Sequence, residues 1–352
     1  MVRRIISEGL NKGLRPSRLL SLLPLFAVLI FSIILIKHGV RELGPDFNEW
    51  LKSNIRNVPS AIGYSWIASM FILSGSPIAA IAIGLKNAGV ISAIQLFGSI
   101  IGSRIGAVSI AFFIGIVTSL GDKSLRRGFS IGTAAFVTTL IMNTGTLFFG
   151  TMLYPLRFLI SSTPKVSAAD PLGPLDTAAG NMIASFGPSV AILIGILLII
   201  FVLGLIDKTL LKKSGEDSIE SWIDLLGNPV ASFFSGFLLT AVFFNVSVSL
   251  SIIVPIYVSK KIELKNIVPY LIGANDGAFS DALVLYLLTG NPESFGAVLM
   301  VMLGNCVMAY FMMKDKVIDS IVNATYKLLV DMRGVMMLLG IMVALPLLLV
   351  IL

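Results

Sequence analysis

Apolar residues fall in long, nearly uncharged stretches, without the alternating or three-to-four spacing of soluble elements. The stretches cover 19–36, 59–96, 97–120, 129–154, 188–206, 229–258, 266–289, 295–313 and 334–352. Runs of this length predict membrane-spanning helices. The first, Leu19–Ile36, follows a basic segment, as the apolar core of a signal peptide would. It closes on Ile36-Lys-His-Gly39 without a small-residue cleavage site, so it reads as a span. Two stretches, 59–96 and 229–258, are the wrong length or too interrupted for plain spans. Each carries small polar residues at its middle: Leu73-Ser74-Gly75-Ser76-Pro77 in one, Phe244-Asn245-Val246-Ser247-Val248-Ser249 in the other. Irregular backbone at membrane depth survives only inside protein or against a water-filled cavity. Both stretches are therefore expected to be re-entrant helical hairpins.

Composition excludes a soluble enzyme. Of 352 residues, 56% are hydrophobic and 13% charged, with a mean hydropathy of +0.95, where soluble domains carry about 25% charged residues. A single cysteine, Cys306, excludes a disulfide framework or thiolate metal site. A single histidine, His38, excludes paired-histidine metal chemistry, and its place at a span end is interfacial. The excess of 26 basic over 19 acidic residues, a net +7, reports cytoplasmic loops facing anionic lipid, with no nucleic-acid partner. Bases cluster in the N-terminal segment (Arg3, Arg4, Lys12, Arg15, Arg18), in Lys123–Arg127 and in Lys208–Lys213. These are expected on the cytoplasmic side of a multi-pass protein of the cell membrane, with the N-terminus cytoplasmic. The Pro- and Ser-rich segment 160–187, with Lys165 as its only base, is expected outside and divides the chain. On the same scheme the loop 37–56 is external, although it holds Lys37, Arg41, Lys52 and Arg56.

The two halves resemble each other. A shift of 171 residues lays Asn57 on Asn228, Ser76 on Ser247, Gly102 on Gly273, Gly106 on Gly277 and Ser109 on Ser280. It also brings Ser74 onto Asn245. The first span of each half runs in the opposite direction to the other, and repeats of inverted topology with paired broken helices are the architecture of secondary transporters. The expected fold class is all-α: a polytopic membrane protein with two inverted-topology repeats, each with a re-entrant helical hairpin. The expected divisions are a basic cytoplasmic N-terminus (1–18), a first membrane half (19–159), an external linker (160–187) and a second membrane half (188–313). A C-terminal part (314–352) adds an amphipathic segment and a last span.

Some of these motifs resemble a known family, the type II sodium/phosphate cotransporters. Ser74-Gly-Ser-Pro-Ile-Ala-Ala-Ile-Ala-Ile-Gly-Leu-Lys-Asn-Ala-Gly89, followed by Gly102-Ser-Arg-Ile-Gly106, is similar to that family's Gln-Ser-Ser-Ser, Gly-Leu-x-Asn-Ala-Gly and Gly-Ala-Asn-Ile-Gly-Thr series. In the second half, Asn245-Val-Ser247 leads to Ile253-Val-Pro255. Pro269-Tyr-Leu-Ile-Gly-Ala-Asn-Asp-Gly277 is similar to the family's Pro-Tyr-x-x-Gly-Ala-Asn-Ile-Gly. Ile36-Lys-His-Gly-Val-Arg-Glu-Leu-Gly44 is similar to its first-helix ending, and the resemblance covers about residues 25–310. It implies two inverted repeats and uptake of inorganic phosphate coupled to Na+, with no other cofactor. The chain departs from the pattern where Leu73 and Phe244 replace the signature glutamines and Gly75 and Val246 the middle serines. Arg104 replaces the first motif's asparagine, and Asp276 the second motif's isoleucine.

Ser74, Ser76, Asn245, Ser247 and Ser249 are the polar residues of the two hairpins. Hydroxyls, amides and freed carbonyls are hard ligands for a small cation, and helix N-termini beside them favour an anion. The competing reading is that small residues only allow close helix packing. Arg104, the only charge between Val90 and Leu120, costs about 2.5–3.5 kcal/mol at a helix centre unless paired or wet. It is either an anion clamp or half of a buried ion pair with Asp276 or Asp281. Asp276 and Ser280, four apart, share a helix face, whereas Asp281 projects elsewhere, which makes Asp276, in the Asn-Asp-Gly tip, the better cation or proton ligand. The expected substrate-binding set is Ser74, Ser76, Arg104, Asn245, Ser247, Ser249 and Asn275. The expected cation set is Ser76, Ser247, Asp276 and Ser280. Asn143 and Asn305 hold corresponding places late in each half and read as helix-packing groups. The function expected is symport of a small inorganic anion with Na+ within the lipid bilayer, by alternating access at the repeat interface, with a homo-oligomer left open. A channel or non-transporting scaffold of the same fold competes with it. An enzyme acting on lipid is disfavoured, because no Gly-x-Ser-x-Gly or His-Glu-x-x-His motif is present.

Overall fold

Helix boundaries in the computed structural model fall where the sequence supplies caps and breakers. The structure describes residues 16–43, 45–122, 125–156, 173–211, 225–243, 246–258, 262–289, 292–330 and 332–352, and among them there is no strand. The first half contains α1 (Pro16–Glu42), α2 (Pro45–Asn54), α3 (Val58–Ile72), α4 (Ser76–Asn87), α5 (Ala93–Ala107), α6 (Ser109–Asp122) and α7 (Leu125–Leu153). After it come α8 (Gly173–Phe186), α9 (Pro188–Leu211), α10 (Pro229–Phe243), α11 (Val246–Val258), α12 (Leu264–Gly277), α13 (Ser280–Thr289) and α14 (Pro292–Met312). The chain ends with α15 (Asp315–Leu328) and α16 (Met332–Ile351). Arg3, Arg4, Lys12, Arg15, Lys123, Lys212, Lys213 and segment 160–172 lie outside the described residues.

Among the described residues, four helical segments are long and apolar enough to cross a membrane: Ala93–Val117, Leu125–Leu153, Ser294–Met312 and Arg333–Ile351. The limbs of the two interrupted stretches are shorter. Fifteen-residue α3 and twelve-residue α4 measure about 22 and about 18 Å at 1.5 Å per residue, against a hydrocarbon core of about 30 Å.

Local chemistry explains the breaks. Asn57 opens α3 with a capping box: its side chain accepts from Ser60 N at 2.8 Å, and Ser60 Oγ accepts from Asn57 N at 3.1 Å. Asn228 caps α10 from one side only, accepting from Val230 N at 2.9 Å and Ala231 N at 3.1 Å. Leu73 closes α3 in the left-handed region, at φ 57°. A side chain there is strained, and the following Ser74 N still reaches Ser69 O at 3.2 Å. Within the span-length segment Ala93–Val117, a one-residue turn at Val108 separates α5 from α6. Likewise α12 and α13 are separated by a turn at Ala278–Phe279. The face expected to join Asp276 to Ser280 is therefore interrupted. Instead Ser280 Oγ donates to Gly277 O at 2.7 Å, as Ser109 Oγ does to Gly106 O at 2.7 Å.

Helices α3 and α5 pack backbone to backbone, as do α10 and α12. A Cβ built on Gly102 would stand 2.2 Å from Ile62 O, and one on Gly106 2.1 Å from Trp66 O. On Gly273 it would stand 1.9 Å from Phe233 O, and on Gly277 2.3 Å from Phe237 O. Both members of each contact are related by the shift of 171 residues, so each glycine meets the corresponding backbone carbonyl. The partners across the halves correspond too: α6 packs on α11 and α13 on α4, while α5 packs on α14 and α12 on α7.

Contacts at helix ends gather residues into two groups. One joins His38 to Asp176 (2.6 Å), Arg56 to Ile351 O, Asn57 to Leu352 O (3.0 Å), and Ser294 to Asn87 (3.3 Å). The other joins Arg127 to Tyr257 O (2.8 Å), Ser232 to Asn266 O (2.8 Å), and Lys265 to Asp319 (2.7 Å). The last bond and its charge push the exposed Lys265 ammonium up from its ordinary value. Within segment 160–187, residues 173–186 form a helix because Leu175, Ala179, Met182 and Ile183 bury against Ile30, Phe31, Ile34 and Leu35 of α1. The amphipathic α15 buries Ile318, Ile321 and Thr325 and lies against α7 and α12.

Candidate functional site

The turns at Leu73–Gly75, Val108 and Ala278–Phe279 surround the charged groups at the interior of the helix assembly. Arg104, in the last turn of α5, forms a buried ion pair with Asp281 in the first turn of α13, so the bond ties one half of the chain to the other. Both side chains are almost fully buried, 4% and 3% exposed. The guanidinium also lies over the Phe279 ring, 5.3 Å from its centroid. Of the two aspartates open to it by sequence, Asp281 is the partner. Nε of Arg104 and Oδ2 of Asp281 are buried and make no hydrogen bond. The pair is thus incompletely satisfied, leaving one donor and one acceptor for a further polar group.

Gly75 places the start of α4 against this pair. A Cβ at Gly75 would stand 2.8 Å from Ser103 O and 3.3 Å from Arg104 Nη1, so only glycine lets the tip approach α5. The N-terminal turn of α4, with Ser76 buried in it, presents its positive end beside Arg104. Ser74, half-buried, sits in the same tip. The structure therefore brings Ser74, Ser76 and Arg104 together.

The remaining sites proposed from sequence lie apart in role. Ser249 Oγ is 2.7 Å from the Tyr270 hydroxyl, which also donates to Ser249 O at 2.9 Å. Asn275 turns back on its own helix, donating to Leu271 O at 2.9 Å. Ser280 Oγ reaches Ala241 O at 3.2 Å besides Gly277 O. Asn245 and the side chain of Ser247 lie outside the described residues.

Asp276 sits in a second buried cluster, 7% exposed. Asn305 Nδ2 donates to its Oδ1 at 2.9 Å, and Cys306 Sγ approaches Oδ1 at 3.5 Å. Asn305 Oδ1 in turn accepts from Thr146 Oγ1 at 3.0 Å. Thr146 belongs to α7, so this chain of side chains also crosses from one half to the other. Sequence reading gave Asn305 a packing role and did not single out Thr146 or Cys306. The signal was faint: a lone Asn-Cys pair in an apolar helix, and a carboxylate in an apolar stretch of another. Asn143, by contrast, bonds its own helix at Thr139 O, 2.9 Å away. Comparison with known families, with characterised proteins and with solved structures finds no significant match.

Proposed function

We propose that the protein is a secondary active transporter that carries a small inorganic anion, phosphate first among them, in symport with Na+. The observation that carries the reading is the buried Arg104–Asp281 pair, which joins the halves beside three helix breaks and leaves Arg104 Nε and Asp281 Oδ2 without partners. A buried ion pair with an open donor, beside a helix N-terminus, suits an oxyanion that replaces Asp281 on the planar fork. The matching contacts under the 171-residue shift support two repeats, and the short paired limbs α3/α4 and α10/α11 support re-entrant hairpins. Inverted topology follows if the two groups of end contacts lie on opposite faces. The group holding Arg127 and Lys265 is assigned to the cytoplasm, together with the N-terminus. The resemblance of the Ser74–Gly106 and Pro269–Gly277 segments to type II sodium/phosphate cotransporters supports the substrate class and the coupling ion.

Uptake of radiolabelled phosphate into proteoliposomes tests this. An inward sodium gradient should drive accumulation above the equilibrium level, and Arg104→Lys, which keeps charge but loses the fork, should insert stably and lower anion affinity at least tenfold. Phosphate that only equilibrates, at a rate indifferent to any ion gradient, would assign the fold to a channel. Near-normal affinity in the lysine variant would remove Arg104 from the substrate.

A further inference from the structure

We propose that Asp276 is a proton-binding site whose state is passed between the two halves through Asn305 and Thr146. The inference rests on the transporter reading for its role in coupling, but not for protonation itself. Arg104 neutralises Asp281, and Asp276 then stands as a second interior carboxylate whose hydrogen-bond partners among the described residues, Asn305 and Cys306, are both neutral donors. A buried carboxylate without a cationic partner takes up a proton or a metal ion.

The surrounding groups favour the proton. A sodium ion needs several oxygen ligands, but the groups aimed at Asp276 are an N–H and an S–H. Asn305 turns its Nδ2, and not its oxygen, toward Asp276, because its Oδ1 accepts from Thr146. A proton needs one acceptor and one partner. When Asp276 gains it, the O–H becomes a donor. Rotation of the Asn305 amide then lets Oδ1 accept from Asp276 while Nδ2 donates to Thr146 Oγ1. The whole relay reverses polarity without moving a helix, and its far end lies on α7 in the other half.

Among the described residues, the helices packed against α12 set no charged side chain against the relay. Of the helices packed against α12, α10 has no titratable side chain and α11 offers Tyr257, bonded to Ser130 at 2.7 Å. The bases of α7, Arg126 and Arg127, stand in its first turn, where Arg127 bonds Tyr257 O. On α15, Asp319 holds Lys265 at the opposite end of α12 from Asp276, with Asp315, Lys316, Tyr326 and Lys327 on the same short helix. On α14, Cys306 touches Asp276, and Tyr310 is exposed one turn further on. Glu293, in the first turn of α14, lies three turns away along the helix.

Infrared difference spectroscopy of the purified protein between about pH 4 and about pH 10 reads this directly. The expected result is a carboxylic C=O band that titrates in the wild type, disappears in Asp276→Asn, and shifts in frequency in Asn305→Asp or Thr146→Val. Sodium in place of a bulky organic cation at fixed pH should leave the band in place. A second readout is the alkylation rate of Cys306, the only thiol in the chain. Its dependence on pH should contain a component lost in Asp276→Asn. No titrating band that Asp276→Asn removes, or a band displaced by sodium at constant pH, overturns the proposal; the latter makes Asp276 a sodium ligand. Titration in a protein that does not accumulate phosphate would retain the proton site and overturn the transporter reading. Sodium-driven uptake without titration would do the reverse.

Discussion

Arg104 and Asp281 are single residues whose worth depends on each other. Removing one partner of a buried pair strands the other charge, which costs about 3–5 kcal/mol, whereas replacing both is often close to neutral. Arg104→Gln and Asp281→Asn should therefore each lower the thermal midpoint in detergent, and the double variant should recover most of the loss. A double variant as unstable as the sum of the singles would show that the two act independently. Asp276→Asn should not rescue Arg104→Gln, since its partners are Asn305 and Cys306. The sequence made Arg104 conspicuous as a lone charge in an apolar run, and it narrowed the partner to two aspartates. The two aspartates lie on different helix faces, and choosing between them required the packing that sets the start of α13 against Arg104. Thr146 and Cys306 were not legible as site residues, because a threonine or a cysteine in a membrane helix looks the same whether it packs or bonds.

At the scale of elements, glycine decides how close the paired helices come. Gly102→Ala and Gly273→Ala would each drive a methyl group into a backbone carbonyl, at 2.2 and 1.9 Å. Carbonyls cannot rotate away as side chains do, so the helices must separate, with a cost of about 1–3 kcal/mol. Gly180 on α8 has nothing within 4 Å of its built Cβ, and there alanine should raise stability by about 0.5–1 kcal/mol through helix propensity alone. Measuring the three in one detergent separates close packing from propensity. Equal effects at all three positions would contradict the packing described here. The repeated glycines were readable from the shift of 171 residues, as were the all-helical class and the presence of apolar helices able to span a membrane. The helix breaks were half readable. The first was marked by Ser-Gly-Ser-Pro, but those at Val108 and Ala278–Phe279 hide in Gly-Ala-x-Ser, a tetrad that recurs at Gly106 and Gly277. Its serine bonds back to the glycine carbonyl in both places, an interaction too short in range to show as a change in hydropathy.

For the whole molecule, the proposed inversion has a consequence that does not depend on substrate. If α3 and α10 begin on opposite faces of the membrane, the residues just before Asn57 and Asn228 must be reachable from opposite sides. The end contacts extend this: Arg56 and Asn57 hold the backbone of Ile351 and Leu352, so the C-terminus should share a face with the start of α3. Ser53 and Gly227 are exposed and suit the test. In a Cys306→Ser background, Ser53→Cys should react with a membrane-impermeant maleimide in intact cells, and a C-terminal tag should be reached by antibody from outside. Gly227→Cys should react only after permeabilisation. This assignment leaves the bases of loop 37–56 outside, against the usual charge rule. The cost is offset where Lys37 and His38 face Asp176 of α8, at 4.0 and 2.6 Å, and where Arg56 is held by a carbonyl at the chain end. Labelling of both cysteines from the same side would refute inversion, and with it alternating access built on two opposed repeats, while leaving the ion pair and the helix packing as they stand.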